Sequence, residues 1–283
     1  MVSVEVLRYT AFPANGRGGN PAGVVLEAGD LREAHMLRLA AEVGYSETAF
    51  LVPTADPGTF DVRYFAPEQE VPFCGHATIA SAVALAERLG PRPFLFRTPA
   101  GEVAVDTRRD DRGVVAELVS VPPVVVDAAP GLVADVLAVL RWSADDLDPA
   151  YPAAVAFAGA RHLVLVTRTR ERLADLDYDV PAAAELMRRH DLITFQLVWP
   201  ESPTRYHARD PFAVGGVVED PATGAAAAAL GGYLRHFGFL GESATFTISQ
   251  GVDLGSPSEI EVRLVAGQAG VRVSGTAVLL PTP

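Results

Sequence analysis

Two short stretches set an ionisable side chain beside a glycine at the head of a run too apolar to face water. One is Val71-Pro72-Phe73-Cys74-Gly75-His76-Ala77-Thr78, the other Glu219-Asp220-Pro221-Ala222-Thr223-Gly224-Ala225-Ala226. A buried helix leaves its first-turn N–H groups at one end, together with the positive end of its dipole. Two such ends converging on a cleft would hold a carboxylate or enolate between them. Glu47, in Ser46-Glu47-Thr48-Ala49-Phe50, opens an apolar strand. Pointing inward, it would be a general base tuned by desolvation; pointing outward, it is a solvated strand end. His76 reads either as a proton donor or acceptor or as a capping or core histidine. Asp220 is a candidate N-cap and a candidate site residue, and the two roles are compatible. Cys74 reads as a buried packing residue in preference to a nucleophile.

The rest of the composition narrows the chemistry. All 23 basic residues are arginine, so Schiff-base chemistry on lysine and a P-loop lysine are excluded. The net charge of −12 opposes nucleic-acid and anionic-membrane binding. A single cysteine excludes an internal disulfide, a cysteine zinc cluster and a two-thiol racemase. Gly16-Arg17-Gly18-Gly19-Asn20-Pro21-Ala22-Gly23 fails the dinucleotide pattern, because Pro21 takes the third glycine position. It reads as a tight loop whose backbone and Asn20 approach a ligand. His35, His162, His190, His207 and His236 lack metal-ligand spacing and read as structural or surface residues. No metal and no cofactor are expected. Without a leader-like N-terminus or an uncharged apolar run of ~18 residues, the expectation is a cytoplasmic protein.

These side chains need a scaffold. The length suits about two domains at ~150 residues each. Residues 1–121 are mostly strand-like, at Val4–Phe12, Gly23–Glu27, Glu47–Val52, Phe60–Phe65, Glu102–Thr107 and Val114–Val121. Helices are predicted over Leu31–Val43, with Asp30 as N-cap and Gly44 at the end, and over His76–Leu89. Pro122-Pro123 is the boundary. Residues 122–283 repeat the plan, with helices at Gly131–Leu140, Pro181–His190 and Gly224–His236. Strands are predicted there at Ala153–Phe157, Leu163–Thr167, Ile193–Val198, Thr245–Ser249, Glu259–Val265 and Val271–Leu279, the last able to cross back to the first half. The two apolar helices with similar entries read as a degenerate repeat at half-chain spacing.

Taken in order, Gly19-Asn20-Pro21-Ala22-Gly23, Ser46-Glu47-Thr48-Ala49-Phe50, Arg63-Tyr64-Phe65-Ala66-Pro67, Glu70 through Thr78, Glu219 through Gly224 and Ser249-Gln250-Gly251 span nearly the whole chain. This ordered set resembles the PhzF-like phenazine-biosynthesis isomerase family. The resemblance implies a diaminopimelate-epimerase-like α+β fold of two pseudo-symmetric halves, each a curved sheet wrapped around a central apolar helix. It implies a cofactor-independent, homodimeric isomerase or epimerase that moves a proton within a small carboxylate substrate in the cleft between the halves. On that basis Glu47 is the general acid/base, and His76 and Asp220 assist protonation and orient the substrate. Asn20, Gly75, Thr223, Gly224 and Ala225 contact it. Three positions depart from the family pattern: Ala225 replaces a serine, Ser256 an arginine, and Ala208-Arg209-Asp210-Pro211-Phe212 differs from the commoner Arg-x-Phe-x-Pro. All lie in the second half, so the resemblance bears more on fold and base than on substrate. The other reading from a different class is a non-catalytic metabolite-binding or scaffolding protein of the same fold. In either case the partner is a small anionic metabolite, and the two helix entries are expected to face one cleft beside Glu47.

Overall fold

The computed structural model describes residues 4–281, which divide into two compact units. The first takes in the chain up to Val119 together with the stretch from Ser274. Its elements are β1 (Leu7–Ala11), β2 (Asn20–Val25), α1 (Glu33–Val43), β3 (Glu47–Pro53), β4 (Thr59–Phe65), β5 (Glu70–Val71), α2 (Gly75–Leu89), β6 (Phe94–Thr98), β7 (Gly101–Asp110) and β8 (Gly113–Val119). Antiparallel pairs β1–β2, β3–β4, β6–β7 and β7–β8 alternate with parallel pairs β2–β3 and β4–β6. Parallel neighbours need a long crossover, and α1 and α2 lie in those two connections. The chain's final strand, Arg272–Leu279, pairs with both β8 and β1, so the sheet closes on itself and leaves no edge. Every residue of α2 from His76 to Ala86 is buried, and the helix packs against β1, β2, β3, β7 and β8. Its alanines and Ser81 let the strands approach closely, which is why this helix has no polar face.

The second unit is Ser120–Val273. It contains β9 (Val124–Asp127), α3 (Pro130–Leu140), β10 (Ala154–Phe157), β11 (Arg161–Val166), α4 (Arg170–Ala174), α5 (Val180–His190), β12 (Thr194–Ser202), β13 (Arg205–Pro211), β14 (Glu219–Asp220), α6 (Gly224–His236), β15 (Ala244–Gln250) and β16 (Ser258–Leu264). The ladder runs β9–β10–β11–β12–β13–β15–β16, parallel at β11–β12 and β13–β15. Helix α6 packs against β9, β10, β11 and β16 and is buried almost throughout from Gly224 to Leu234. Leu132, Val136 and Leu140 of α3 and Leu186 and Met187 of α5 form a separate core with Leu163, Leu165, Phe195 and Leu197.

The helix at residue 31 differs from expectation. Asp30 is not its cap: a turn closed by Leu31 N–H donating to the Ala28 carbonyl at 2.9 Å absorbs that residue. The helix begins at Glu33 with Arg32 as N-cap and no side-chain cap bond, while Gly44 ends it in the left-handed conformation as expected. Periodicity does not predict strands β6, β9 and β13. Prolines surround the first two, and β13 (Arg205–Pro211) is too polar to show an apolar alternation.

Candidate active site

Glu47 stands at the first residue of β3, in register with Ala22 of the parallel β2, whose first residue is Asn20. This pairing sets Asn20 and Glu47 at neighbouring strand ends. Cys74 is the extended N-cap of α2, held by its carbonyl, which accepts from the Thr78 hydroxyl at 2.7 Å and the Thr78 N–H at 3.0 Å. The Thr78 hydroxyl in turn meets the Tyr64 hydroxyl at 2.6 Å. His76 then points back to the strand ends. Its Nδ1 is 3.2 Å from Asn20 Nδ2, and its Nε2 is 3.5 Å from Glu47 Oε2 and 3.4 Å from the Ser46 hydroxyl. Cys74 Sγ lies 3.4 Å from Nδ1. Asn20, Cys74 and His76 are buried, whereas the Glu47 side chain keeps 14% of its surface exposed. A carboxylate with one partly open flank and an imidazole beside it can take a proton from a bound molecule and return it. Glu47, Cys74 and His76 also bring three metal-ligating atoms within 4.8 Å of one another.

The second unit holds the other entry. Thr223 is the N-cap of α6, and its hydroxyl donates to Asp220 Oδ2 at 2.5 Å. Gln250 fastens the turn: its Nε2 donates to the Asp220 carbonyl at 2.7 Å and to the Thr223 hydroxyl at 3.0 Å, and its Oε1 accepts from the Thr223 N–H at 3.2 Å. Gly251 follows at φ +71°, where a Cβ would meet the Ser256 carbonyl at 2.3 Å and the Pro221 carbonyl at 2.8 Å. Those contacts give Ser249-Gln250-Gly251 its role, which is to hold the Asp220–Gly224 turn. Asp220 is not the N-cap of α6; it engages the capping threonine.

Two features of this unit have no signature in the sequence. Arg209 and Glu219 form a buried ion pair, with Arg209 Nη2 2.6 Å from Glu219 Oε2 and Nη1 donating to the Ala174 carbonyl at 2.7 Å. Asp210, opposite Asp220 in the β13–β14 register, is fully buried with neither carboxyl oxygen hydrogen-bonded. Burial pushes its carboxyl well above the ordinary range, and the charges of Asp220 and Glu219 add to the effect. Thr223 and Gln250 pull the other way without reaching hydrogen-bond geometry. A run of charges reads as surface in a sequence; only the 209–219 pairing across β13 and β14 gives it a reason to be inside. Arg63 is likewise a structural residue, gripping Glu70 through Nε at 2.7 Å and Nη2 at 2.6 Å and holding that carboxyl below its usual range. Thus Asn20, Glu47 and His76 meet in the first unit, beside Gly75, and Asp220, Thr223 and Gly224 meet in the second, with Ala225 half-buried in the first turn of α6. An apolar hollow lined by Val133, Leu137 and Phe237 contains none of them.

Comparison with known proteins places the chain in a family. Residues 9–282 match the family described as phenazine biosynthesis-like protein, PhzC–PhzF. An uncharacterized isomerase of Deinococcus radiodurans is 36% identical over 97% of this chain and 88% of its own. The trans-2,3-dihydro-3-hydroxyanthranilate isomerase of Pseudomonas fluorescens is 30% identical over 88% of this chain and 86% of its own. A Bacillus anthracis phenazine biosynthesis protein of the PhzF family superposes with a TM-score of 0.89 over 99% of this chain and 98% of its own, at 23% identity. No helix among the described residues is long and apolar enough to cross a membrane.

Proposed function

The chain belongs to the phenazine biosynthesis-like (PhzC–PhzF) family, and from that premise we propose that it is an isomerase moving a proton within a small carboxylate substrate, with Glu47 as general acid/base. The observation that carries the reading is the Glu47 carboxylate, mostly buried with one open flank, 3.5 Å from His76 Nε2 at the head of a buried helix. The carboxylate takes a proton from a carbon next to an electron-withdrawing group. The C–H electron pair moves into the adjacent unsaturated system, and the proton is then returned at another carbon or face. His76, oriented by Asn20, donates to the charge that develops, and the amides around Gly75 are placed to share it. Asp220 and the α6 entry, with Thr223, Gly224 and Ala225, are the second unit's candidate contacts for the polar end of a small carboxylate. The reaction needs no cofactor, since every proton moved has a side chain to carry it.

The substrate named for the Pseudomonas fluorescens relative is the first to test, followed by other small unsaturated or α-amino acids. Incubation in D2O, followed by NMR, reads exchange and product together. Glu47→Gln is expected to lower the exchange rate by roughly 10²–10⁴-fold. Asp220→Asn, in the other unit, is expected to lower turnover by roughly tenfold or more. Exchange in Glu47→Gln as fast as in the parent rules out this base. Binding of the acids without exchange or product favours the non-catalytic binding protein instead.

A further inference from the structure

The proposed proton transfer uses Glu47 and His76 and leaves the third side chain of that cluster, Cys74, without a task. Cys74 Sγ is 3.8 Å from His76 Nε2, and the same nitrogen is 3.5 Å from Glu47 Oε2. One ligating atom from each residue lies within 4.8 Å of the other two, and no second such group occurs among the described residues. A four-coordinate zinc ion, at metal–ligand distances of about 2.0–2.3 Å, spaces thiolate, imidazole and carboxylate atoms by about 3.3–3.6 Å. The cluster is already near that spacing. Glu47 is the more open partner of the His76 pair, and its carboxylate can close the remaining gap by a change of rotamer. Asn20, 3.2 Å from Nδ1, supplies the outer contact that fixes a ligating ring. With the amide turned so that its oxygen faces Nδ1–H, Nε2 presents its lone pair towards Glu47 and Cys74.

We propose that Glu47, Cys74 and His76 form a binding site for a thiophilic divalent cation such as zinc or cadmium. The ligands are Cys74 Sγ, His76 Nε2 and one Glu47 oxygen, with a fourth position open to water. The sulfur selects soft or borderline ions over magnesium and calcium, which prefer all-oxygen shells. On binding, the S–H bond breaks, the S–metal bond forms and the proton passes to solvent, with no change of oxidation state. The metal then occupies the carboxylate lone pair that proton abstraction requires, so the ion acts as a brake. That last consequence rests on the isomerase reading; the binding does not.

The test uses the full chain, stripped with a chelator and titrated with zinc by calorimetry and with cobalt(II) by absorption. One zinc per chain and a thiolate-to-cobalt charge-transfer band are expected. Cys74→Ser, which nearly keeps the side-chain volume, is expected to lose the band and to weaken zinc by roughly tenfold or more, with Glu47→Gln also weakening it. Circular dichroism and melting establish that each variant is folded. If Cys74→Ser does not fold, the band in the parent protein decides alone. No thiolate band, or zinc affinity unchanged in a folded Cys74→Ser, overturns the proposal and marks the ion as a surface-carboxylate adduct. These readouts need no turnover, so a failed exchange assay strikes the isomerase reading and leaves the metal result standing. If exchange is found, zinc is expected to suppress it and a chelator to restore it; undiminished exchange with the site filled overturns the brake.

Discussion

Asn20 decides which way the His76 ring faces, since its amide 3.2 Å from Nδ1 is buried and leaves Nε2 to Glu47 and Ser46. A ring freed from that contact loses part of its time in the productive orientation. Asn20→Ala is therefore expected to slow substrate deuterium exchange by roughly tenfold, equivalent to about 1.4 kcal/mol. Asn20→Asp keeps the volume but offers Nδ1 no amide donor, so it should lose about as much; a rate near the parent's in Asn20→Asp would assign the Asn20→Ala effect to packing. Asn20, Glu47 and His76 were legible as candidates because each stands beside glycine or at the start of an apolar run. The sequence alone left open whether they were solvated or engaged, and the 3.2 and 3.5 Å contacts answer that. Asp210 was not legible as a buried group. Nothing local distinguishes a surface aspartate from one covered by β14 and the Thr223–Gln250 cap.

The two apolar helices were readable because a helix without a polar face has nowhere to lie except inside a unit, and α2 and α6 are both buried. Their neighbours were less readable. Strand β13 carries Arg205, His207, Arg209 and Asp210, and its pairing with β12, β14 and β15 comes from long-range partners, not from an alternation of its own. The Gly231-Gly232 pair inside α6 also has a long-range cause. A Cβ on Gly232 would fall 2.3 Å from Pro123 Cβ, and one on Gly231 2.9 Å from Val271 Cγ1. In an exposed helix, glycine to alanine stabilises by about 1 kcal/mol. Here the clash should reverse the sign, and Gly232→Ala is expected to destabilise by about 1–3 kcal/mol in denaturant unfolding. Adding Pro123→Gly removes the opposing Cβ, so the double variant should lose less than the two single losses sum to. Additive losses would mean the helix is not pressed against Pro123.

At the scale of the whole molecule, two buried groups of opposite type make stability depend on pH in opposite directions. His162 is fully buried with Nδ1 2.8 Å from the Thr194 hydroxyl and Nε2 unpartnered, and burial pushes its pKa down to about 3. Between pH 6.5 and 3 the unfolded chain binds a proton that the folded chain refuses, so stability falls as pH falls through that window. Asp210 works in the other direction. Its folded pKa is raised, so above about pH 3.9 the unfolded chain sheds a proton that the folded chain keeps. Stability from this group is full below that pH and declines as pH rises towards the folded pKa. Each group contributes a slope of about 1.4 kcal/mol per pH unit inside its window. Where the windows overlap the two slopes oppose. Asp210→Asn keeps the shape of the neutral acid but cannot titrate. Its stability relative to the parent should therefore be flat below about pH 3.9 and rise steadily above it. Denaturant unfolding of the two proteins at a series of pH values reads this difference, because titrations remote from Asp210 cancel. A difference that does not change with pH would mean Asp210 is ionised in the fold, and a donor would then have to reach it.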